Sequence, residues 1–141
     1  MENDNLAPLK KDPDTYLIIG AAMAVHTDLG CGFLEPVYHE ALGIEFQIRE
    51  IRFEHEVPLP ITYKGRRLSQ RYRVDFKCGT VLVEVKAVDA LAPIHKAQMI
   101  NYLKASKQER GLVLNFGGQS LEWERVVLDY REPIIVDPRK S

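Results

Sequence analysis

Residues 81–86, with the sequence VLVEVK, restrict the fold of this chain more than any other segment. Side chains alternate between the two faces of a β-strand, so the three valines point one way while Leu82, Glu84 and Lys86 point the other. An acid and a base in a buried strand need a partner, a metal ion or a polar cleft, because each charge alone is costly to bury. The alternative is a same-face pair on a solvated strand surface, which is common where apolar and charged residues alternate.

The length and composition are those of one ordinary globular domain. A chain of 141 residues with 45% hydrophobic content can bury a core without disulfides or metal staples. We expect a flexible N-terminal segment at 1–13, a single domain at 14–136 and a short tail at 137–141. No apolar run is long enough to cross a bilayer, and the N-terminus is polar and acidic rather than a signal sequence. The sequence therefore predicts a cytoplasmic protein with no membrane partner.

Charge is distributed unevenly, although the net charge is only −1. The segment from Lys64 to Arg110 contains eleven Lys and Arg against four acids, a local excess of +7, and the remainder carries −8. A basic segment of this kind attracts phosphates through its local field and through counterion release. Basic residues are equally common on ordinary solvated faces, so both interpretations stay open at this point.

Hydrophobic periodicity and turn residues predict three helices and five strands. The helices are expected from an N-cap at Asp14 or Thr15 to about Leu29, from Glu35 to about Arg49 and from Pro93 to about Lys107. The strands are expected at 52–63, 67–77, 80–86, 111–116 and 120–128. The first three strands form an antiparallel meander, joined by turns at Lys64-Gly65 and Cys78-Gly79. The third helix then returns the chain to a further strand, as a crossover of about a dozen residues allows. The predicted fold class is α/β, with a mixed sheet flanked by helices on both faces.

This arrangement gathers charged and polar residues around the end of one strand pair. Asp75 on the second strand should meet Glu84 and Lys86 on the third. Gln98 and Tyr102 lie four residues apart on the third helix and share one face of it. Carboxylate oxygens are the ligands that Mg²⁺ and Mn²⁺ prefer, so the sequence predicts a divalent metal site suited to phosphate chemistry.

A seven-residue motif precedes these residues in the chain and has its own spacing. It reads GFLEPVY at 32–38, is preceded by His26 and by Leu29-Gly30, and is followed by VEVKAV and by Gln98 through Tyr102. In this order the motifs resemble the PD-(D/E)XK nuclease superfamily and, within it, the GxxExxY family. The resemblance covers nearly the whole chain and implies a restriction-endonuclease-like core. The one departure is Val74 before the first acid, where the superfamily's name has proline.

The resemblance also implies roles for individual residues. The superfamily's metal-binding acids fall on Asp75 and Glu84, its lysine on Lys86, its first-helix acid on Glu35, and its glutamine–tyrosine pair on Gln98 and Tyr102. With the Val85 carbonyl, the two acids would hold Mg²⁺ or Mn²⁺, and a water on that ion would be the nucleophile. Lys86 would orient this water or neutralise the scissile phosphate. Glu35 has a second interpretation, as an acid that only favours the N-terminus of its helix.

Three further residues are candidates for substrate binding. His95 lies on the third helix one turn before the glutamine, and Arg73 and Lys96 belong to the basic segment. The other histidines are expected to be structural or surface residues: His26, His39 and His55. Tyr38 is interpreted as a core aromatic residue whose hydroxyl lies at the rim.

Two functions of different classes follow from these residues. The first is a metal-dependent nuclease that hydrolyses phosphodiester bonds in DNA or RNA. The second is a catalytically inactive nuclease-fold module that binds nucleic acid or a protein partner. The intact set of acids together with Lys86 favours the nuclease. A homodimer would extend the grip of so small a domain on a duplex, although no sequence feature requires one.

Overall fold

The order of the strands along the chain is also their order in the sheet. The computed structural model describes residues 12–130. The helices are α1 (Pro13–Leu29), α2 (Glu35–Ile48) and α3 (Pro93–Ser106), and the strands are β1 (Glu54–Tyr63), β2 (Arg66–Cys78), β3 (Val81–Lys86), β4 (Arg110–Asn115) and β5 (Glu122–Val127). The sheet order is β1-β2-β3-β4-β5, with β3 and β4 parallel and the other neighbours antiparallel. The predicted mixed sheet is confirmed, and each predicted boundary lies within two residues of the observed one.

Strand β3 lies at the centre of the sheet and is covered on both faces. Its valines pack with α1 and α2 in one core, which includes Ile18 and Leu42. Leu82 belongs to a second core on the opposite face, together with Met99 and Leu103 of α3. The alternation expected from VLVEVK is therefore present. Burial on both faces explains why this strand is apolar except where charged groups are needed.

The N-terminus of α1 is fixed by the buried carboxylate of Asp12 and its hydrogen-bond partners. We call this group of residues the Asp12 cluster: Asp12, Thr15, Arg110 and Arg125. Asp12 is the N-cap, and its carboxylate accepts hydrogen bonds from the Thr15 backbone N–H and hydroxyl. It also accepts hydrogen bonds from Arg110 and Arg125, which lie on β4 and β5. The helix thus begins ahead of the predicted cap at Asp14 or Thr15, and Thr15 is a partner of the cap.

Strands β1 and β2 continue beyond the rest of the sheet as a two-stranded ribbon, which we define as residues 57–74. Strand β2 pairs with β3 only from Phe76 to Cys78, whereas it pairs with β1 as far as Arg66. Glu56, just before the ribbon, has a left-handed φ of 51°, and within the ribbon the register of the β1–β2 ladder shifts between Pro60 and Thr62. The ribbon therefore leaves the five-stranded sheet immediately next to Asp75.

Residues 1–11 and 131–141 lie outside the described part of the chain, and with them most of the expected N-terminal segment and all of the expected tail. Within residues 12–130, no helix is both long enough and apolar enough to pass through a lipid bilayer.

Candidate metal centre

The two predicted metal-binding acids come together where β2 and β3 separate. The backbone N–H of Asp75 donates to Glu84 Oε1 at 2.8 Å, and the backbone N–H of Val85 donates to Asp75 Oδ2 at 2.8 Å. The last regular pair of this ladder is Phe76 with Val83. One residue further on, each carboxylate therefore takes the place of a backbone acceptor on the neighbouring strand. This exchange fixes both side chains at the same end of the strand pair.

Each carboxylate keeps one oxygen outside this exchange. Asp75 Oδ1 lies 3.4 Å from His39 Nδ1, and Glu84 Oε2 lies 3.8 Å from Lys86 Nζ. The side chain of Glu84 is 8% exposed and that of Asp75 is 20% exposed. Two preoriented oxygens, at the border between core and solvent, form the start of a hard-ligand site.

The acids at this site repel one another. Burial, followed by the charge of Asp75, raises the pKa of Glu84 to about 8, and Lys86 offsets this only in part. The pKa of Glu35, at the start of α2, is also raised by burial and then by Asp75. Three carboxyl groups thus share the field of one lysine. This excess of negative charge is the environment that a divalent cation stabilises, so the donor set fits a hard divalent cation.

Helix α3 completes the second side of the site with Tyr102. Burial and then the charges of Glu84 and Asp75 raise the pKa of the Tyr102 hydroxyl. Its ring lies 5.0 Å from that of Tyr72 on the ribbon. Gln98, one turn earlier on α3, is partly buried. The neutral hydroxyl of Tyr102 is therefore available as a hydrogen-bond donor near the two acids.

His39 is a residue of the site that sequence reasoning placed among the structural histidines. It follows Glu35 by one turn of α2, and its Nδ1 faces Asp75. Its Nε2 is buried and has no hydrogen-bond partner within residues 12–130. His55 and Glu56 lie beside it, with one ligand atom from each of the three residues within 4.8 Å of the others. The i, i+4 spacing of Glu35 and His39 is the sequence signal that could have found this residue.

Each of the three predicted substrate-binding residues contacts another polar group of the protein. His95 Nδ1 accepts the backbone N–H of Ala92 at 2.9 Å, which caps α3. Lys96 Nζ lies 3.7 Å from Glu124 on β5, and Arg73 lies 3.7 Å from Glu56. Both cations remain more than half exposed. The structure thus gives His95 a capping contact and gives each cation a weak surface pair.

Tyr38 of the GFLEPVY motif is a core residue, as the sequence predicted. It is fully buried, and its ring stacks on Phe116 at 4.9 Å. Its hydroxyl donates to the Gly30 carbonyl at 2.6 Å and accepts the Phe33 N–H at 3.2 Å. The motif tyrosine therefore fixes the loop that leads into Glu35.

Comparisons with known proteins agree with this architecture. The family model of the PD-(D/E)XK nuclease superfamily matches residues 12–126. The crystal structure of SSO0001 superposes with a TM-score of 0.53 at 19% sequence identity, covering 67% of this chain and 52% of that one. The chain thus spans about half the length of that protein, and at this identity the likeness concerns the fold alone. None of the curated proteins is significantly similar to the chain. Because the family model covers most of the chain and both core acids, the chain belongs to the PD-(D/E)XK nuclease superfamily.

Proposed function

We propose that the chain is a nuclease of the GxxExxY type that hydrolyses nucleic-acid phosphodiester bonds with Mg²⁺ or Mn²⁺. The observation that carries the proposal is the reciprocal pair of hydrogen bonds between Asp75 and the Glu84-Val85 segment. Backbone N–H donors hold one oxygen of each acid in these bonds, and this fixes the direction of the other oxygen, Asp75 Oδ1 or Glu84 Oε2. Neutral, apolar packing would stabilise the sheet better at this position, so the arrangement is better explained by ligand binding than by stability.

The ligands proposed for the ion are Asp75, Glu84 and the Val85 carbonyl. When bound, the ion supplies Lewis-acid chemistry, by activating water and by stabilising negative charge on phosphate oxygens. Glu35 is a third acid beside this set, and burial together with the charge of Asp75 raises its pKa, which favours its protonated form. His39 would support the set from outside it by orienting Asp75, since the carboxylates that bind metals are themselves held by neighbouring polar groups.

Lys86 is the proposed electrostatic catalyst. Its ammonium lies beside Glu84, and its side chain is 18% exposed, so it faces the site rather than bulk solvent. A positive charge there would neutralise a phosphate oxygen or orient a water molecule. Gln98 and Tyr102 would hold this phosphate or lysine by hydrogen bonds from α3. Arg73, Lys96 and His95 are proposed to contact substrate phosphates further from the scissile bond.

The test is a cleavage assay on the purified chain with Mg²⁺ or Mn²⁺. Single-stranded, duplex and branched DNA and RNA would be compared for the wild type, Asp75→Ala and Lys86→Ala. Matched controls are Asp28→Ala and Lys104→Ala, which remove one charge of the same sign from exposed helix positions. Loss of cleavage in the two site variants alone would support the proposal. Cleavage that both site variants retain would overturn it, and binding without cleavage by the wild type would favour an inactive binding module.

A further inference from the structure

We propose that the ribbon, residues 57–74, is an arm that binds the phosphate backbone of the nucleic acid on one side of the cleavage site. This inference rests on the proposed nuclease function, because it identifies the surface that would hold the substrate. It concerns residues outside the metal centre, and it can fail while the metal centre is correct.

The ribbon starts at the metal centre. Val74 is its last residue on β2, and the next residue is Asp75. Its base is anchored in the α3-side core by Leu59 and Val74, with Tyr72 against the ring of Tyr102. A substrate phosphate held at Asp75 would therefore have the ribbon directly beside it.

The charge of the ribbon has one sign. Between Val57 and Val74 there are five Lys and Arg and no acid. They are Lys64, Arg66, Arg67, Arg71 and Arg73. Of these five cations, Arg73 alone forms an ion pair with a carboxylate of residues 12–130, at 3.7 Å from Glu56. The charge near the ribbon tip is therefore available to an anionic partner.

Both faces of the ribbon are open to solvent beyond its base. Residues 62–71 are all exposed, including Tyr63 at 61% and Leu68 at 41%. Two-stranded ribbons are marginally stable alone, so a protruding one of this composition suggests a partner that it holds. Strand β1 is at the edge of the sheet and carries Pro58 and Pro60, which lack the N–H that strand addition would use. A second protein strand is thus a poor occupant of that edge, whereas a phosphate backbone needs only the arginines.

The length of the ribbon sets the extent of the contact. Asp75 follows Arg66 by nine positions, and a strand rises by about 3.3 Å per residue, so the tip lies roughly 30 Å from the metal centre. This distance is close to one turn of duplex DNA, about 34 Å. The ribbon can therefore follow phosphates over most of a helical turn to one side of the scissile bond.

The test is equilibrium binding in EDTA, where metal-dependent cleavage does not occur. The ribbon variant is Arg66→Ala/Arg67→Ala/Arg71→Ala, and the matched control is Arg52→Ala/Lys104→Ala/Lys107→Ala, which removes the same charge from exposed positions elsewhere. The probes are labelled DNA duplexes of about one and about three helical turns, the corresponding single strands, and a polyglutamate peptide. Circular dichroism and thermal melting verify that both variants are folded.

We expect the ribbon variant to bind the long duplex at least tenfold more weakly than the control. We also expect the slope of log K against log salt to decrease in magnitude by about 2.7, because each lost phosphate contact releases about 0.9 fewer counterions. The defect should shrink on the short duplex. Equal affinities and equal salt slopes for the two variants would overturn the proposal, and so would tighter ribbon-dependent binding to polyglutamate than to DNA. Binding is measured here without metal, and cleavage is measured in the separate assay with Mg²⁺ or Mn²⁺. Ribbon-dependent binding by a protein that does not cleave in that assay would therefore contradict the proposed nuclease activity and leave the role of the ribbon intact.

Discussion

The Asp12 cluster and the candidate metal centre both bury carboxylates, and they shift the pKa of those carboxylates in opposite directions. Burial raises the pKa of Asp12, but hydrogen bonds from Thr15 and Arg125 and the charge of Arg110 outweigh it, so the net shift is downward. At the metal centre, burial and neighbouring acids raise the pKa of Glu84 to about 8. The first carboxylate has its full set of partners within the chain. The second faces other acids, and this difference separates a structural charge from one arranged for a ligand.

The largest effect that can test this comparison is loss of function at Asp75. The substitution Asp75→Asn keeps the shape of the side chain and removes one charge from the acid cluster. We expect cleavage to fall by about 10²–10³-fold or more, since a charged ligand and preorganised electrostatics are lost together. We also expect Mn²⁺ to lose most of its effect on the melting temperature, as measured by differential scanning fluorimetry. An unchanged response to Mn²⁺ would show that the ion binds elsewhere; Asp28→Asn is the control.

Asp12→Ala should lower the free energy of unfolding without a direct effect on cleavage. It removes the N-cap of α1 and leaves Arg110 and Arg125 without their buried partner. We expect the free energy of unfolding to fall by about 2–4 kcal/mol, below the upper range for buried pairs because both guanidinium groups reach solvent. Urea unfolding measures this loss. The control, Asp14→Ala, removes an exposed acid that contacts the same Arg110 and should cost less than about 1 kcal/mol. Similar losses for both variants would contradict a structural role specific to Asp12.

Glu84→Gln should stabilise the metal-free protein while it abolishes cleavage. Because the folded-state pKa of Glu84 is about 8 against an ordinary 4.5, the native state binds more protons than the unfolded state between these values. The stability of the wild type therefore falls as the pH rises through this window. Glutamine keeps an acceptor for the Asp75 N–H without the charge. We expect it to be more stable by about 1–3 kcal/mol at pH 8 and nearly equal at pH 5. The free energies of unfolding are measured by urea unfolding in EDTA. If the variant and the wild type differed by the same amount at pH 5 and at pH 8, the titration of Glu84 would not explain the difference.

The parts of the fold that depend on local sequence were predictable. Alternation in VLVEVK identified the central strand and the face that carries Glu84 and Lys86, and glycine pairs and prolines marked most boundaries. The Asp12 cluster was not predictable in this way, since its arginines lie 98 and 113 residues away in the chain. Ion pairs between distant segments depend on tertiary geometry that no short pattern encodes.

The candidate site shows the same division. The acids and Lys86 were predicted as site residues from their spacing and from the resemblance to a family, and the structure brings Asp75 and Glu84 into one hydrogen-bonded unit. The role of His39 depends on how α2 crosses the sheet, which places its ring against Asp75 and Phe76. The protrusion of the ribbon depends on where β2 stops pairing with β3. Neither feature has a local signature, apart from the helical spacing between Glu35 and His39.

Tyr38→Phe should give the smallest effect and tests how the motif tyrosine contributes to the metal centre. The ring keeps its packing on Phe116, and only the bonds to Gly30 and Phe33 are lost. We expect a loss of about 1–2 kcal/mol in the free energy of unfolding and a decrease of a few fold in cleavage, because the loop entering Glu35 loosens. Tyr16→Phe, at an exposed position on α1, is the control and should change neither. If Tyr38→Phe abolished cleavage without a loss of stability, the hydroxyl would act in the chemistry itself. The GFLEPVY motif would then take part in the reaction at the candidate metal centre and would not only stabilise the loop that leads into Glu35.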